Sequence, residues 1–302
     1  MPEGNTIHRL ARLHNRDFAG RRVAVTSPQG RFSREAKRLD GRQFRRADAF
    51  GKHLFHHWSG GLVVHVHLGM AGWFYRHVAP PPEPRPTVRM RLSTRAVTTD
   101  LIGPPTCELM PEFARRALLA RLGPDPLRSD FDPDRVWREL QRRGRRAIGD
   151  ALLDQSVLSG VGNIYRNEAL FLTGIHPLRP SGRVTPDEWE ALWRTIRRLM
   201  RRGVVQARVR TVAAGEPAHP LAGRARDDDS FYVYQGTICR RCASPIREFP
   251  LSARRMFACE TCQPRGVRRP KVVRKGARKA VRKRTGRSRI RSSALAAPAS
   301  GH

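Results

Sequence analysis

The first three residues include types that can do covalent chemistry. Pro2 follows the initiator Met, and a small second residue normally permits removal of that Met, which exposes a secondary amine. Such an amine can attack an aldehyde-like carbon and form an iminium, as lysine does in Schiff-base enzymes. An unperturbed α-amino group has a pKa of about 8 against about 10.4 for lysine, so more of it is neutral and nucleophilic at pH 7. Glu3 beside it can move protons.

Four of the five cysteines have the spacing of a metal site. Cys239 and Cys242 form one C-x2-C pair, Cys259 and Cys262 form another, and 16 residues separate the pairs. Two such turns bring four thiolates into a tetrahedron, which is the geometry of a closed structural zinc site. We therefore predict one structural Zn²⁺, with two redox pairs or chance as the alternative. The fifth cysteine, Cys107, is predicted to be a small buried apolar residue.

The segment between the cysteine pairs contains two adjacent arginines, Arg254 and Arg255. Residues 251–255 are predicted to form the tip of a hairpin. A basic tip on a rigid ribbon can reach into a polyanion, whereas the alternative is a solvated turn without a partner.

The stretch 151–171 is predicted to form a helix, a glycine turn and a second helix. Gly160 and Gly162 permit a tight backbone, and Asn163 is placed to cap the second helix. Free N–H groups at a helix start, together with the helix dipole, favour an anion, and a nucleic-acid phosphate is the natural guest. A plain helical hairpin with a glycine turn is the alternative, and the residues alone leave both interpretations open.

Hydrophobic periodicity indicates the elements that must position these groups. Apolar residues at helical spacing predict a first helix from residues 2–3 to His14, ended by 17–20. Short segments with strand composition follow, punctuated by Gly and Pro, and predict a sandwich or barrel. These segments are 22–26, 43–50, 53–58, 62–67, 72–76 and 88–93. Helical patterns then occupy 111–122, 132–143, 148–156, 164–171 and 186–202.

The order of these elements predicts an α+β multidomain chain. A β-sandwich domain with an N-terminal helix is expected over residues 1–110, and a helical domain over 111–230. A small four-cysteine hairpin is expected over 231–264. The tail, 265–302, has almost no large apolar groups and cannot offset its chain entropy by burial, so it is predicted to be disordered.

The charge of the chain points to a polyanionic partner. The formal net charge is +33, and the tail alone holds 14 basic residues and no acidic one. We expect this tail to raise nonspecific nucleic-acid affinity by counterion release, with a solubilising extension as the alternative. Before the tail, Lys37 and Lys52 are the only lysines among many arginines, so each needs a particular reason to be there.

Several classes of protein are disfavoured by composition. The chain has no run of 18 apolar residues, so a membrane span is not expected. The first ten residues lack the charged-then-apolar pattern of a secretion signal, which favours a cytoplasmic location. Five cysteines in 302 residues are too few for a disulfide scaffold.

Four blocks along the chain occur together in an order typical of one family. The blocks are Met-Pro-Glu-Gly at 1–4, Gly-Lys-His-Leu at 51–54, the segment 152–171 with its Gly-Val-Gly-Asn-Ile-Tyr, and the finger ending Cys-x2-Cys-Gln at 263. Together they resemble the formamidopyrimidine-DNA glycosylase and endonuclease VIII family of DNA repair glycosylase/lyases. The first block is weak alone, whereas the glycine block and the finger together are specific.

The resemblance implies roles for the residues that match the family's chemistry. Pro2 would be the nucleophile that attacks C1′ of a damaged nucleotide and displaces the base. Glu3 would shuttle protons during base loss and sugar ring opening. Lys52 would contact phosphate and support β-elimination, and Arg254 would hold phosphate and assist δ-elimination.

The resemblance also implies DNA contacts. The segment of the helix–two-turn–helix that contains Gly160, Gly162 and Asn163 would hold a phosphate. Met70 matches a position that fills the gap left by an everted base. The implied partner is damaged DNA, bound by a monomer associated with the nucleoid.

The chain departs from the family pattern at two places. Many members have a second Glu where this chain has Thr6, and the stretch 100–108 offers no match for the other gap-filling residues. Both departures resemble the endonuclease VIII side, and specifically its actinobacterial-type members. We therefore expect oxidised pyrimidines as substrates and a preference for bubbles, forks or single strands.

Three alternatives stay open from the sequence. The first is an 8-oxoguanine-directed glycosylase of the same family. The second is a noncatalytic zinc-containing DNA- or RNA-binding protein, against which Pro2, Glu3 and Lys52 argue. The third is a zinc-ribbon ribosomal or transcription factor, which leaves the β domain and the N-terminus unexplained.

Overall fold

Two four-stranded antiparallel sheets packed as a sandwich form the first domain of the computed structural model, which describes residues 2–217 and 230–265. The strands are β1 (Ala24–Thr26), β2 (Phe44–Phe50), β3 (His53–Trp58), β4 (Val63–His67), β5 (Trp73–Val78), β6 (Val88–Ser93), β7 (Val97–Ile102) and β8 (Thr106–Met110). One sheet has the order β1-β6-β7-β5 and the other β2-β3-β4-β8. Alternate apolar residues of the two sheets meet in one buried core, as the period of two requires.

The change from strands to helices lies between Met110 and Glu112. Two helices belong to the sandwich region, α1 (Gly4–Phe18) and α2 (Ser33–Leu39). The rest are α3 (Glu112–Ala120), α4 (Pro133–Arg142), α5 (Ile148–Ala151), α6 (Asn163–Thr173) and α7 (Pro186–Gln206). Of these, α4 to α7 surround a second apolar core.

Helix α1 joins the sandwich to the helical domain. Ile7, Ala11 and Phe18 recur on one face and are buried in the sandwich core. The helix packs on β2 and β3, and it also contacts α7. The first residues of the chain are therefore held at the junction of the two domains.

A two-stranded hairpin, β9 (Arg247–Leu251) and β10 (Arg254–Ala258), completes the described fold. Its turn residues Ser252 and Ala253 have φ values of 55° and 54°. A third cluster packs Phe171 of α6 against Phe257 and the cysteines, so the hairpin is seated on the helical domain.

The predicted fold class is confirmed, with differences in detail. The sequence patterns missed α2, β7 and β8, and the helix predicted over 148–156 ends at Ala151. It ends there because Asp154 accepts from the N–H of Ser156 and pairs with Arg143 and Arg146. Cys107 is buried as predicted. The predicted tail lies outside the described residues except for Arg265.

No helix within 2–217 or 230–265 combines the length and apolarity needed to cross a bilayer.

A pair of histidines is enclosed in the sandwich core. His14 of α1 and His56 of β3 are both buried, and His14 Nδ1 lies 2.9 Å from His56 Nε2. Burial lowers the pKa of His14 to about 4 and lowers the pKa of His56 well below its usual value. Both rings are therefore neutral in the folded protein at pH 7, and each gains a proton more easily when the chain unfolds.

This pair predicts acid-sensitive stability. Between pH 6.5 and 4 the unfolded chain binds more protons than the native state, so the free energy of unfolding falls as the pH falls. For His14 alone the loss is about 2 kcal/mol between pH 7.5 and pH 5. Urea unfolding at the two pH values measures it. The double variant His14→Leu/His56→Leu should flatten this dependence, and an unchanged slope would contradict the assignment.

Candidate active site at the domain junction

One cavity of about 300 Å³ collects residues from all three parts of the chain. It contains seven of the eight residues predicted to act on DNA or the lesion, and Gly160 is adjacent to it. Four further lining residues were not singled out from the sequence. The lining residues are Pro2, Glu3, Lys52, His67, Gly69, Met70, Leu153, Gln155, Gly162, Asn163 and Arg254.

The N-terminal segment reaches this cavity because glycines let two backbones touch. The N–H of Gly4 donates to the carbonyl oxygen of Gly160 over 2.9 Å. Gly160 has a φ of +88°, which side chains rarely adopt. A Cβ on Gly162 would lie 2.4 Å from Cδ of Glu3. The glycine turn predicted from the sequence thus makes room for Glu3.

Glu3 caps the second helix of the helix–two-turn–helix. The N–H groups of Gly162 and Ile164 donate to its two carboxylate oxygens over 2.9 and 2.8 Å. The prediction that Asn163 caps this helix was wrong, because Gly162 occupies the cap position and Asn163 is the first helical residue. A carboxylate of the protein itself therefore occupies the anion site expected for a phosphate at this helix start.

The buried Glu3 and the half-buried Lys52 interact as opposite charges. Burial raises the pKa of Glu3, while Lys52 and backbone N–H groups oppose this shift. Burial lowers the pKa of Lys52, and Glu3 opposes that shift. The pKa of each group is thereby shifted towards 7, which suits groups that exchange protons during a reaction.

The turn before Lys52 is fixed from across the domain junction. Gly51 has a φ of +57°, and its N–H donates to Asp125 Oδ2 over 2.7 Å. His8 Nε2 also lies 2.7 Å from that oxygen. A Cβ on Gly51 would lie 2.9 Å from the Ser159 side chain. Asp125 therefore ties the strand turn that presents Lys52 to the linker between the domains.

The hairpin tip faces the loop that follows β4. Arg254 is exposed, and its Nη1 lies 3.3 Å from Sδ of Met70, whose side chain is 65% exposed. The left-handed turn at 252–253 supplies this tip, as the sequence predicted. These two side chains extend from opposite walls of the cavity.

Asn163 is held by the hairpin and by Arg166, which the sequence patterns did not single out. Its Nδ2 donates to the carbonyl oxygen of Arg255 over 3.1 Å, and Nε of the buried Arg166 donates to its Oδ1 over 2.9 Å. Asn167 Oδ1 accepts from the N–H of Phe257 over 2.7 Å. The signal in the sequence was the polar run Arg166, Asn167 and Glu168 in a helix whose neighbouring residues are mostly apolar.

The four predicted metal ligands are brought together. The Sγ atoms of Cys239, Cys242, Cys259 and Cys262 all lie within 4.8 Å of one another. The separations are 3.9 Å for Cys239–Cys262 and 3.5 Å for both Cys242–Cys259 and Cys242–Cys262. A tetrahedron with zinc–sulfur bonds of about 2.3 Å has edges of about 3.8 Å. The donor set and its spacing therefore fit a metal ion bound by four thiolates.

A sandwich, a helix–two-turn–helix domain and a cysteine hairpin that share one cavity define a class of DNA glycosylase/lyases. Residues 1–102 match the formamidopyrimidine-DNA glycosylase N-terminal domain, and residues 122–213 match the H2TH domain of formamidopyrimidine-DNA glycosylase. The chain belongs to this family of formamidopyrimidine-DNA glycosylases and endonucleases 8, which confirms the resemblance found in the sequence.

Relatives of both kinds resemble the chain over nearly its whole length. It is 47% identical over 269 residues to endonuclease 8 1 of Mycobacterium tuberculosis H37Rv, covering 87% of this chain and 100% of that one. It is 31% identical to probable endonuclease 8 2 of Streptomyces coelicolor, covering 94% and 100%. It is 30% identical to the formamidopyrimidine-DNA glycosylase of Cellvibrio japonicus, covering 87% and 100%.

Solved structures share the fold. Lactococcus lactis Fpg in complex with an abasic site containing DNA superposes with a TM-score of 0.70 at 21% identity, covering 87% of this chain and 99% of that one. MutM in complex with carbocyclic 8-oxo-G containing DNA gives a TM-score of 0.71 at 21% identity, covering 87% and 100%.

Proposed function

We propose that this protein is a bifunctional DNA glycosylase/AP lyase of base excision repair that removes oxidised bases, chiefly pyrimidines. The observation that carries the proposal is the convergence of Pro2, Glu3, Lys52 and Arg254 on one cavity. They come from three separate segments of the chain: its start, the turn between β2 and β3, and the hairpin. We also propose that the protein works as a monomer on chromosomal DNA in the cytoplasm.

Pro2 is the proposed nucleophile. After removal of Met1 its nitrogen attacks C1′ of the damaged nucleotide, a C–N bond forms and the base leaves with the electrons of its bond to C1′. The nitrogen then loses its proton, its lone pair forms a double bond to C1′, and the C1′–O4′ bond breaks while O4′ takes up a proton. The resulting iminium withdraws electrons from the opened sugar, which makes the hydrogen on C2′ acidic. Pro2 is buried at the cavity wall, so this step is shielded from bulk water.

Glu3 is the proposed proton carrier. Because burial raises the pKa of its carboxyl group, a proton is held there more readily than on an exposed glutamate. It can give that proton to the sugar ring oxygen or the departing base. The helix N-terminus then stabilises the carboxylate that remains.

Lys52, Arg254 and the side chain of Asn163 are the proposed phosphate contacts. Lys52 lies beside Pro2 and supports β-elimination of the 3′ phosphate, while Arg254 on the exposed hairpin tip holds a phosphate and assists δ-elimination. Asn163 and Gly162 line the same cavity, and Gly160 is adjacent to it.

Zinc is the metal we propose for the four cysteines. When bound, the ion fixes the ends of the hairpin and supplies folding energy. The hairpin is also held by the helical domain: the carbonyl oxygen of Arg255 accepts from Asn163, and the N–H of Phe257 donates to Asn167. These contacts position Arg254, which the hairpin carries.

Loss of one thiolate should therefore weaken DNA binding. For Cys262→Ser we expect less than one zinc per chain and at least 10-fold weaker binding to abasic-site DNA, since Arg254 is no longer held over the cavity. Metal analysis and fluorescence anisotropy measure the two effects. Cys107→Ala, which removes the cysteine outside the cluster, should keep both properties. A fully loaded Cys262→Ser protein with unchanged affinity would contradict a structural zinc role.

The proposed preference for oxidised pyrimidines rests on the similarity to endonuclease 8 1. The identity is 47% to that protein, against 30% to the formamidopyrimidine-DNA glycosylase of Cellvibrio japonicus. The arrangement of residues 100–108 also supports the proposal that this protein has few side chains to fill the gap left by an everted base. In this stretch Asp100 is paired with Arg91 and Cys107 is in the core, and Pro105 packs against Gly69 beside Met70. Met70 is thus the proposed gap-filling residue.

This arrangement predicts a preference for unpaired lesions. With a single gap-filling side chain, extrusion of a base from intact duplex is poorly compensated, so thymine glycol in a bubble or single strand should be excised several-fold faster than in duplex. Single-turnover assays on matched oligonucleotides measure this ratio. Equal rates would count against the preference. If 8-oxoguanine opposite cytosine were the best substrate, the result would instead favour an 8-oxoguanine-directed glycosylase of the same family.

Product analysis tests the reaction class. Incubation with an oligonucleotide that contains thymine glycol should release the base and leave phosphate at both ends of the gap, as β,δ-elimination requires. Tight binding without base release or strand cleavage, by protein with a correctly processed N-terminus and one zinc, would overturn the proposal in favour of a noncatalytic DNA-binding protein.

A further inference from the structure

A row of three hydrogen-bonded side chains, His53, His65 and Glu108, crosses the outer face of the β2-β3-β4-β8 sheet. His65 Nδ1 lies 3.0 Å from Glu108 Oε1, and His53 Nδ1 lies 2.9 Å from His65 Nε2. The strand register brings these groups together, since His65 is paired with both Phe55 and Glu108. Residues on neighbouring strands thus form a continuous polar chain across the sheet.

The carboxylate of Glu108 determines which nitrogen of each histidine in this polar chain holds the proton. A carboxylate only accepts, so His65 must donate from Nδ1 to Glu108. A neutral His65 then accepts on Nε2, and His53 must donate to it from Nδ1. This leaves Nε2 of His53 without a proton, which makes it a base. Burial lowers the pKa of both rings, which keeps them neutral.

The polar chain of Glu108, His65 and His53 begins in solvent and ends beside the catalytic cavity. The side chain of Glu108 is 54% exposed, whereas that of His65 is 7% exposed and is covered by the stacked ring of Phe55 at 5.2 Å. At the other end, the ring centroids of His53 and His67 are 5.0 Å apart. His67 lines the cavity that contains Pro2 and Lys52.

A second, much smaller cavity lies at this inner end. It has a volume of about 10 Å³ and is lined by Pro2, Lys52 and His67, among others. That is about the space one water molecule needs. The N–H of Gly69 donates to His67 Nδ1 over 3.2 Å, so the proton of a neutral His67 is on Nε2.

We propose that Glu108, His65 and His53 form a proton-transfer path between solvent and the cavity wall at His67. The proposal rests on the lyase function argued above. In β-elimination a proton leaves C2′, its bonding electrons form the C2′–C3′ double bond, and the 3′ phosphate leaves with the electrons of the C3′–O bond. While DNA covers the mouth of the cavity, that proton needs another exit.

The path moves one proton without leaving charge on the rings. His67 takes the proton on Nδ1 in place of its contact with the Gly69 N–H and gives its Nε2 proton to Nε2 of His53. His53 then releases its Nδ1 proton to His65 Nε2. His65 releases its Nδ1 proton to Glu108, which passes it to bulk water. Protons supplied to the departing base can travel in the reverse direction along the same groups.

The variant Glu108→Gln tests the path at its exposed end. Glutamine keeps an oxygen that accepts from His65, so the fold is retained, but it cannot take up the proton. We expect single-turnover cleavage of abasic-site DNA to slow about 10-fold. This is less than the roughly 100- to 10,000-fold lost with a group that itself exchanges a proton with the substrate, because Glu108 acts through two histidines. Imidazole added as a small diffusible base should restore most of the rate, which a purely structural defect would not show.

A second variant and a control sharpen the test. His65→Phe fills the same space without a proton carrier. The double variant Glu108→Gln/His65→Phe should be no slower than the slower of the two single variants, because both substitutions interrupt the same path. Glu112→Gln removes a nearby carboxylate that pairs with Arg115 instead, and it should cleave at the wild-type rate.

Two results would overturn the path. One is a Glu108→Gln protein that cleaves as fast as wild type, and the other is a slow variant that imidazole does not restore. In both cases a wild-type protein that cleaves normally leaves the lyase function standing. A wild-type protein that neither cleaves abasic DNA nor forms an imine would overturn the lyase function and the path with it.

Discussion

The variant Pro2→Leu is expected to lose covalent trapping on abasic-site DNA and to cleave it at least 1,000-fold more slowly, about the scale of losing a nucleophile. A bulky second residue keeps Met1 in place, so the nitrogen of residue 2 becomes an amide without a nucleophilic lone pair. The cavity then lacks the group that attacks C1′, since Pro2 is the residue that brings an α-amine to it. Borohydride trapping and single-turnover cleavage measure both effects.

A matched control separates the amine from the proline ring. Pro2→Ala also has a small second residue, so Met1 is removed and a primary amine is left in the same place. This variant should still be trapped, with a rate within about 10-fold of wild type. If Pro2→Leu cleaves like wild type, with Met1 shown by intact mass to be retained, Pro2 is not the nucleophile.

The variant Glu3→Gln should separate base removal from strand cleavage. Base removal needs a proton delivered to the sugar or the base, so we expect excision of thymine glycol to slow by about 100- to 10,000-fold. An abasic site already exposes an aldehyde to Pro2 and has no base to expel. Trapping on abasic-site DNA should therefore stay within about 10-fold of wild type.

The capping role of Glu3 must be distinguished from its proton chemistry. A glutamine amide offers one acceptor oxygen, so the N–H of either Gly162 or Ile164 loses its partner. Such a loss costs about 1–3 kcal/mol, which thermal unfolding can detect. Collapse of the helix start would reduce both reactions together. Equal losses on the two substrates would therefore contradict a specific role in base removal.

The chemistry that depends on residue type and local spacing could be predicted from the sequence. The cysteine pairs, the hairpin tip at Arg254 and the glycine turn are encoded within short segments, and the alternation of apolar and polar residues in Val88–Ser93 is a local property. The family blocks gave Pro2, Glu3 and Lys52, and the fold brings these three residues to one cavity.

What local patterns missed depends on contacts between distant parts of the chain. Strand β7 contains Thr98, Thr99 and Asp100, which look polar in sequence and are buried because Asp100 meets Arg91 of the next strand. The cap of α6 is supplied by Glu3, whereas a local capping rule selects Asn163. The His53–His65–Glu108 chain likewise exists only through strand register.

Mapping the covalent adduct tests the central claim most directly. The purified protein would be incubated with abasic-site DNA and borohydride, digested, and sequenced by mass spectrometry. We predict a single reduced adduct on the nitrogen of Pro2 in a chain that lacks Met1. An adduct on Lys52 would show that a different amine is the nucleophile. No adduct, from zinc-loaded and correctly processed protein that binds the DNA, would contradict the imine mechanism altogether.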